Sequence, residues 1–255
     1  MTKWFAASDI HGFYSIYMQE LLRQGFDVDN PDHKLIICGD LLDRGDETVA
    51  LFDFVKRMLD RDRLIYVRGN HEDLLFDCVK EIKAGRTPSS HHFHNGTIKT
   101  ICQFCEQNEW IIYDPTWQKR ICNVMQPVVN FIASHTVDYT EIGDYIFVHG
   151  WIPTRSNAVD FREANEDDWK RARWENGMAM WNNPRNRIDG KTIVCGHYHC
   201  SWGWSHLRQE RKEFPQKNRI DWAKSFEPFI DNGICAIDAC TAATGLCNVM
   251  VFDEE

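Results

Sequence analysis

Nowhere in the sequence does an apolar run approach the roughly 20 residues a membrane span needs, so no transmembrane helix is expected. Basic residues are also in short supply. Lys and Arg number 29 against 38 Asp and Glu, a formal charge of -9. That balance argues against a nonspecific nucleic-acid binder or an anionic-membrane binder, both of which need a basic surface. It leaves phosphate substrates open, because bound dications reverse the local field. Repeats, low-complexity linkers and shifts of composition are lacking too, which predicts a single domain over residues 1–255. The first residues, Met1 to Ala6, run straight into a polar motif and leave no room for a removable signal peptide. A cytoplasmic protein is the expectation.

What the chain does have is 43% hydrophobic and 26% charged residues, ordinary for a globular protein. Its ten cysteines include Cys38, Cys195 and Cys235 within apolar runs, where a thiol behaves as a small hydrophobe. Cys102 and Cys105 have the C-x-x-C spacing of zinc or redox sites, but lack a strand-to-helix context and a second such pair. Unpaired structural thiols are the better reading.

Short apolar runs alternate with helical patterns. Strands are expected at Trp4 to Ala7, Leu35 to Cys38, Leu64 to Val67, Tyr145 to Val148, Ile193 to Cys195, Ile234 to Ile237 and Asn248 to Phe252. Helices are expected at Tyr14 to Gln24, at Glu47 to Asp60, and from Asn70 through Val79. Trp169 to Trp181 reads as one further helix, with Trp174, Met178 and Trp181 packed along one face. The stretch around 85–140 reads as a helical insertion without an assignable motif. Its His91, His92 and His94 could ligate a metal, but their neighbours suggest a solvated loop. The alternation implies βαβ units and a largely parallel first sheet.

Five polar motifs each end an apolar run: Ser8-Asp9-Ile10-His11-Gly12, Gly39 to Gly45 with Asp40, Asp43 and Arg44, Gly69-Asn70-His71-Glu72, His149-Gly150, and Gly196-His197-Tyr198-His199. Open α/β sheets place ligand sites beyond the carboxyl ends of strands, where these motifs fall. Carboxylate oxygen and imidazole nitrogen together suit borderline dications, and the inventory is sufficient for two of them. Singly, an aspartate after a strand is often a helix cap and a histidine beside glycine a loop residue. Five motifs in this order are much more specific.

At these residues the chain resembles the calcineurin-like metallophosphoesterase superfamily. More narrowly it looks like the phosphoprotein phosphatase branch, with its bacterial and phage-type Ser/Thr phosphatases and symmetrical diadenosine tetraphosphatases. The resemblance implies an α/β fold of two packed mixed β-sheets flanked by helices, a four-layer sandwich carrying the helical insertion. It gives Asp9 and His11 to one metal, makes Asp40 a bridge, and assigns Asn70, His149 and His197 to the second. His199 fits the two-histidine ending of the wider superfamily, where it would join the first metal. Two divalent ions are implied, manganese in an assay and iron or zinc in the cell. His71 is the expected proton donor with Asp43 as its partner. Arg44 offers a planar fork for phosphate, alongside Asn70 and a second arginine. Arg173 is the choice for that second arginine, with Arg171 and Arg155 as rivals. Ser8 replaces a common glycine, and Trp151 after Gly150 is expected to narrow the mouth of the site.

The expected activity is hydrolysis of phosphate monoesters by direct attack of metal-activated water, foremost as a Ser/Thr protein phosphatase. The alternatives are a dinucleoside polyphosphate or other nucleotide hydrolase and, in a different class, a non-catalytic metal-binding scaffold. A phosphorylated protein or small phosphorylated molecule is the expected partner. Neither nucleic acid nor membrane is expected, and the oligomeric state stays open.

Overall fold

The computed structural model describes residues 1–154, 160–210, 214–217 and 221–254. In chain order its elements begin with β1 (Lys3–Ala7), α1 (Tyr14–Arg23), β2 (His33–Cys38), α2 (Thr48–Leu59), β3 (Leu64–Val67) and α3 (Asn70–Lys83). The insertion supplies α4 (Ser90–Asn95), α5 (Thr97–Cys105) and α6 (Gln118–His135). Then come β4 (Thr136–Val137), β5 (Thr140–Ile142), β6 (Tyr145–Phe147), α7 (Glu166–Ala172), α8 (Gly177–Trp181), β7 (Thr192–Cys195) and α9 (Ser201–Leu207). The chain closes with β8 (Phe229–Asp231), β9 (Ile234–Ala236), α10 (Thr241–Thr244) and β10 (Met250–Asp253).

Two mixed five-stranded sheets result, ordered β10-β1-β2-β3-β4 and β5-β6-β7-β9-β8. In the first, β1 to β4 are parallel and β10 runs against β1; in the second, β6, β7 and β9 are parallel between antiparallel edges. Period-two alternation sorts the side chains into layers. Phe5, Ala7, Leu35 and Ile37 face the helices of the first sheet, while Trp4, Ala6, Ile36 and Cys38 face the other way. There they meet Phe147, Val194, Cys235 and Ile237 of the second sheet. That sheet's opposite face, with Ile146, Ile193 and Ile234, packs on Trp169, Met178 and Cys200. Strands buried on both faces explain the nearly continuous apolar runs in the sequence.

Three expectations are corrected. The helix foreseen from Trp169 to Trp181 is two helices. Asn176 caps the second through the Ala179 amide (3.1 Å), after the Ala172 carbonyl at the end of the first has accepted the Trp151 amide. The break lets Gly177 pack where a Cβ would stand 2.6 Å from Cys195 Sγ. It also turns Trp174 outward, 43% exposed, so only part of the foreseen tryptophan stripe packs inward. Finally, the histidine-rich stretch is helical, in α4, with His92 buried 3.5 Å from Glu81. Among the described residues, no helix is long and apolar enough to cross a membrane.

Candidate active site

Six parallel strands, three per sheet, carry a polar side chain just past their carboxyl ends. Asp9, Asp40 and Asn70 follow β1, β2 and β3; His149, His197 and Asp238 follow β6, β7 and β9. The seam between the sheets thus opens into a polar cleft of about 240 Å³. Asp9, His11, Asp40, Arg44, Asn70, His71, His197 and His199 all line it, and His149 is buried beside Asp40 and Asn70. Sharp backbone turns aim these groups inward. Asp9, His11, Asp40, Asp43, Arg44 and His197 all have positive φ, between 51° and 76°. Such left-handed residues are uncommon outside glycine and are held only where the surroundings over-determine them.

Glu72 does much of that holding. Its carboxylate accepts the amides of Asp40 (3.0 Å), Leu41 (3.0 Å) and Gly69 (2.7 Å) and the Tyr66 hydroxyl (2.7 Å). The two sheets are tied directly where the His197 amide donates to Asp9 Oδ2 (2.9 Å); within the first sheet the His71 amide donates to Asp40 Oδ1 (2.9 Å).

Donor chemistry fits divalent metals. His11 Nδ1 faces the Leu42 carbonyl (2.9 Å) and His149 Nδ1 faces the Cys38 carbonyl (2.8 Å), so each Nδ1 carries the hydrogen. The Nε2 atoms are left toward the carboxylates. His149 Nε2 lies 2.8 Å from Asn70 Oδ1 and 3.3 Å from Asp40 Oδ1, a convergence of acceptors that a cation satisfies. Two groups of close donor atoms share Asp40: one with His11 and His71, the other with His149 and His197. His199 lines the cleft with its Nδ1 on Ser201 Oγ (2.7 Å), outside both groups.

Electrostatics point the same way. Burial, followed by the charges of Asp9 and Glu72, pushes the Asp40 carboxyl well above its usual range. Burial and then Asp9 do the same to Asp238, and burial raises Asp9. Clustered acids of this kind are relieved by bound dications. Burial, then His71 and Arg44, hold His11 well below its ordinary value; burial, then His149 and His71, push His197 down to about 3. Neutral imidazoles keep the lone pairs that ligation needs.

His71 itself, a member of the first group, has Nδ1 against Asp43 Oδ2 at 2.7 Å, and Arg44 approaches its Nε2 at 3.2 Å. Arg173 is elsewhere. Its guanidinium is buried against Asp73 (2.8 Å), Glu166 (3.3 Å) and Asp138 and does not line the cleft. A buried cation already paired with Asp73, Asp138 and Glu166, and absent from the cleft lining, is poorly placed to take phosphate, which counts against the substrate-binding role foreseen for Arg173. Arg171 pairs with Asp168 and lines an adjoining open groove, while Arg155 falls outside the described residues. Trp151, foreseen at the mouth, is buried, and Trp174 forms the wall instead, its ring 5.7 Å from His197 and 6.2 Å from His91.

Sequence reasoning gave no role in the site to Glu72, nor to Asp238, Asn95 and Trp174, all three of which line the cleft, and it had Trp174 as a packing residue. For Asp238 a signal existed: it follows an apolar run as Asp9 and Asp40 do. All ten cysteines are free, and Cys102 and Cys105 are buried within α5.

A two-sheet sandwich with a shared-carboxylate metal cleft defines a metal-dependent phosphoesterase. The chain belongs to the calcineurin-like phosphoesterase family, whose model matches residues 3–228. A 79-residue stretch is 37% identical to the asymmetrical bis(5'-nucleosyl)-tetraphosphatase PrpE of Bacillus velezensis, covering 29% of this chain and 32% of that protein. The similarity therefore spans about a third of that relative's length. Among solved structures, one provisionally described as a diadenosine tetraphosphatase superposes with a TM-score of 0.54 at 16% identity, covering 98% of this chain and 89% of its own. A protein serine/threonine phosphatase from Saccharomyces cerevisiae gives 0.50 at 19% identity, covering 77% of this chain and 61% of its own. At such identities the likeness is one of fold.

Proposed function

We propose that the chain is one catalytic domain that hydrolyses phosphate monoesters, foremost those of phosphoserine and phosphothreonine in proteins. The observation that carries this reading is the His71–Asp43 pair, with Arg44 against it, set beside the donor cluster. A scaffold that only bound metal would have no use for a buried acid pair and a phosphate fork.

Asp9 and His11, with His199 beside them, would hold one metal, Asp40 would serve both, and Asn70, His149 and His197 would hold the second. Manganese, iron and zinc all accept this mixture of oxygen and nitrogen donors. Such a pair of ions supplies activated water and neutralises phosphoryl charge. The chain's own residues do the rest. Arg44 and the Asn70 amide orient the phosphate oxygens. A bound phosphate dianion draws the Arg44 fork from His71 Nε2, which then favours the imidazolium. Asp43 fixes the ring through Nδ1, leaving the Nε2 proton for the departing alkoxide. Free thiols suit a reducing compartment, and the cytoplasm is where we place the reaction.

Dinucleoside polyphosphate hydrolysis is the second reading. It is favoured by the segment similar to PrpE and by the exposed indole of Trp174 at the cleft wall, a surface on which a base can stack. The test compares kcat/KM for a phosphothreonine peptide and diadenosine tetraphosphate with manganese-loaded protein, using Asp40→Asn as control. Preference for the peptide supports the first reading. Preference for the dinucleotide replaces it with the second, and activity surviving in the control removes both.

A further inference from the structure

Helix α5 belongs to the insertion, and the proposed reaction gives it no task. Yet one of its faces is fitted to the loop that carries Asp43 and Arg44. Thr100 Oγ1 accepts the Asp43 amide (2.9 Å) and donates to Asp43 Oδ1 (2.7 Å), closing a small ring of bonds. Thr97 Oγ1 donates to Asp43 Oδ2 (3.0 Å), the oxygen that also meets His71 Nδ1. Farther along the same face, Lys99 donates to the Arg44 carbonyl (2.8 Å). Gln103 donates to the Gly45 carbonyl (2.9 Å) and accepts the Thr48 amide (3.0 Å). Ahead of the helix, Gly96 has φ +89°, and a Cβ there would stand 2.5 Å from the Arg44 amide.

Thr97 and Thr100 have no solvent exposure, and neither does Asp43. Buried hydroxyls on the apolar side of a helix that also buries Ile98 and Ile101 are costly unless bonded. Here both are bonded to one carboxylate. Because Asp43 and Arg44 both lie in the left-handed region, the loop needs outside support.

We propose that Thr97 and Thr100 are positioning residues for the proton donor. The insertion holds the Asp43 carboxylate in the plane of His71 Nδ1–H, and through it sets the tautomer and direction of the ring. This rests on the acid role assigned above to His71.

The experiment uses the full chain loaded with manganese, assayed on a phosphothreonine peptide and on p-nitrophenyl phosphate, whose leaving group needs little protonation. For the double variant Thr97→Val/Thr100→Val, kcat on the peptide should drop about 10- to 100-fold, the range over which outer partners matter to a site. With p-nitrophenyl phosphate it should change by less than about threefold, a small part of what acid catalysis contributes. KM and bound manganese should stay the same, and Thr100→Ser should restore the peptide rate. Thr97→Val alone, which keeps the Thr100 ring, should fall between, and it carries the test if the double variant does not fold. Equal losses on both substrates, or lost manganese, would overturn the proposal, as would an unchanged peptide rate. His71→Asn is run beside them. If it loses peptide activity selectively and the threonine variants do not, the α5 proposal fails alone. If His71→Asn shows no selectivity, the acid role fails and the proposal with it.

Discussion

Asp43 and His71 meet at 2.7 Å with side-chain exposures of 0% and 2%, a buried carboxylate–imidazole pair at the edge of the candidate metal-ligand cluster. Without metal or substrate, burial and then Arg44 hold the imidazole well below its ordinary pKa, and burial lifts Asp43 to about 7. An anion in the cleft would draw Arg44 away and favour the charged form of the imidazole.

Replacing the donor tests that arrangement. His71→Asn should retain its metals and lose about 10²- to 10⁴-fold in kcat on alkyl phosphates, the usual worth of general acid catalysis. The loss on p-nitrophenyl phosphate should be much smaller. Steady-state kinetics on both substrates, with metal analysis of the same samples, decide the point; matching losses would count against the acid role.

Asp40→Asn should impair both metals together, since both groups of donor atoms include Asp40. Metal analysis after dialysis should find less than one ion per chain. Two retained ions and a normal rate would remove Asp40 from the site.

Arg173 and Arg44 should separate stability from substrate binding. Arg173→Met leaves the buried Asp73 without its cation and should lower stability by about 3–5 kcal/mol, as breaking buried ion pairs does. Arg44→Ala should leave the melting temperature nearly unchanged and weaken competitive inhibition by inorganic phosphate. Urea titration and phosphate inhibition of both variants provide the comparison, and a phosphate defect in folded Arg173→Met would reinstate that arginine.

Glu72→Gln exchanges a four-way acceptor for an amide that must turn an N–H toward other donors. A loss of about 1–3 kcal/mol is expected for each buried group left unsatisfied. Metal affinity should weaken by about 10- to 100-fold as the Asp40 loop relaxes. Metal-binding calorimetry beside thermal melts would reveal an unaltered affinity, which would deny Glu72 its hold on the loop.

Protein stripped of metal should lose thermal stability as pH rises from 6.5 through about 7. Asp43 is raised to about 7 and Asp40 and Asp238 well above their usual range, all chiefly by burial. The folded state then binds protons more tightly than the unfolded one, whose carboxyls titrate near 3.8. Their stabilising contribution is complete below that value and is lost as pH climbs through the folded pKa. His11, His71 and His197 are depressed, so theirs is complete above 6.5 and constant in this window. Melting temperatures in chelator should fall with pH, and manganese should flatten the slope; a rising slope would contradict it.

The seven foreseen strands and the first three helices were legible within a few residues, because all of these strands but β10 are buried along most of their length and leave unbroken apolar runs that end at a polar residue or glycine. The donors were legible for the same reason. Short edge strands β4, β5 and β8 escaped, having too few buried residues to leave a pattern. The break after Arg173 escaped because its cause, the close approach of Gly177 to Cys195, is a contact between distant segments. Arg173 itself looked like any arginine on a charged helix. Its three acidic partners lie 7, 35 and 100 positions away. Thr97 and Thr100 gave no sign at all, since a threonine in a helix is ordinary until a carboxylate from another segment is seen against it.

The division of the donors between two sheets also sets an order of events during synthesis. Asp9, His11, Asp40 and Asn70 precede His149, His197 and Asp238 along the chain and so leave the ribosome before them. Until the second sheet docks, a nascent chain presents half a chelate, open on one side and weak. On the proposed ligand assignment a complete chelate exists only once the two halves have closed, so the choice of metal would fall to the folded protein and the ions available to it then.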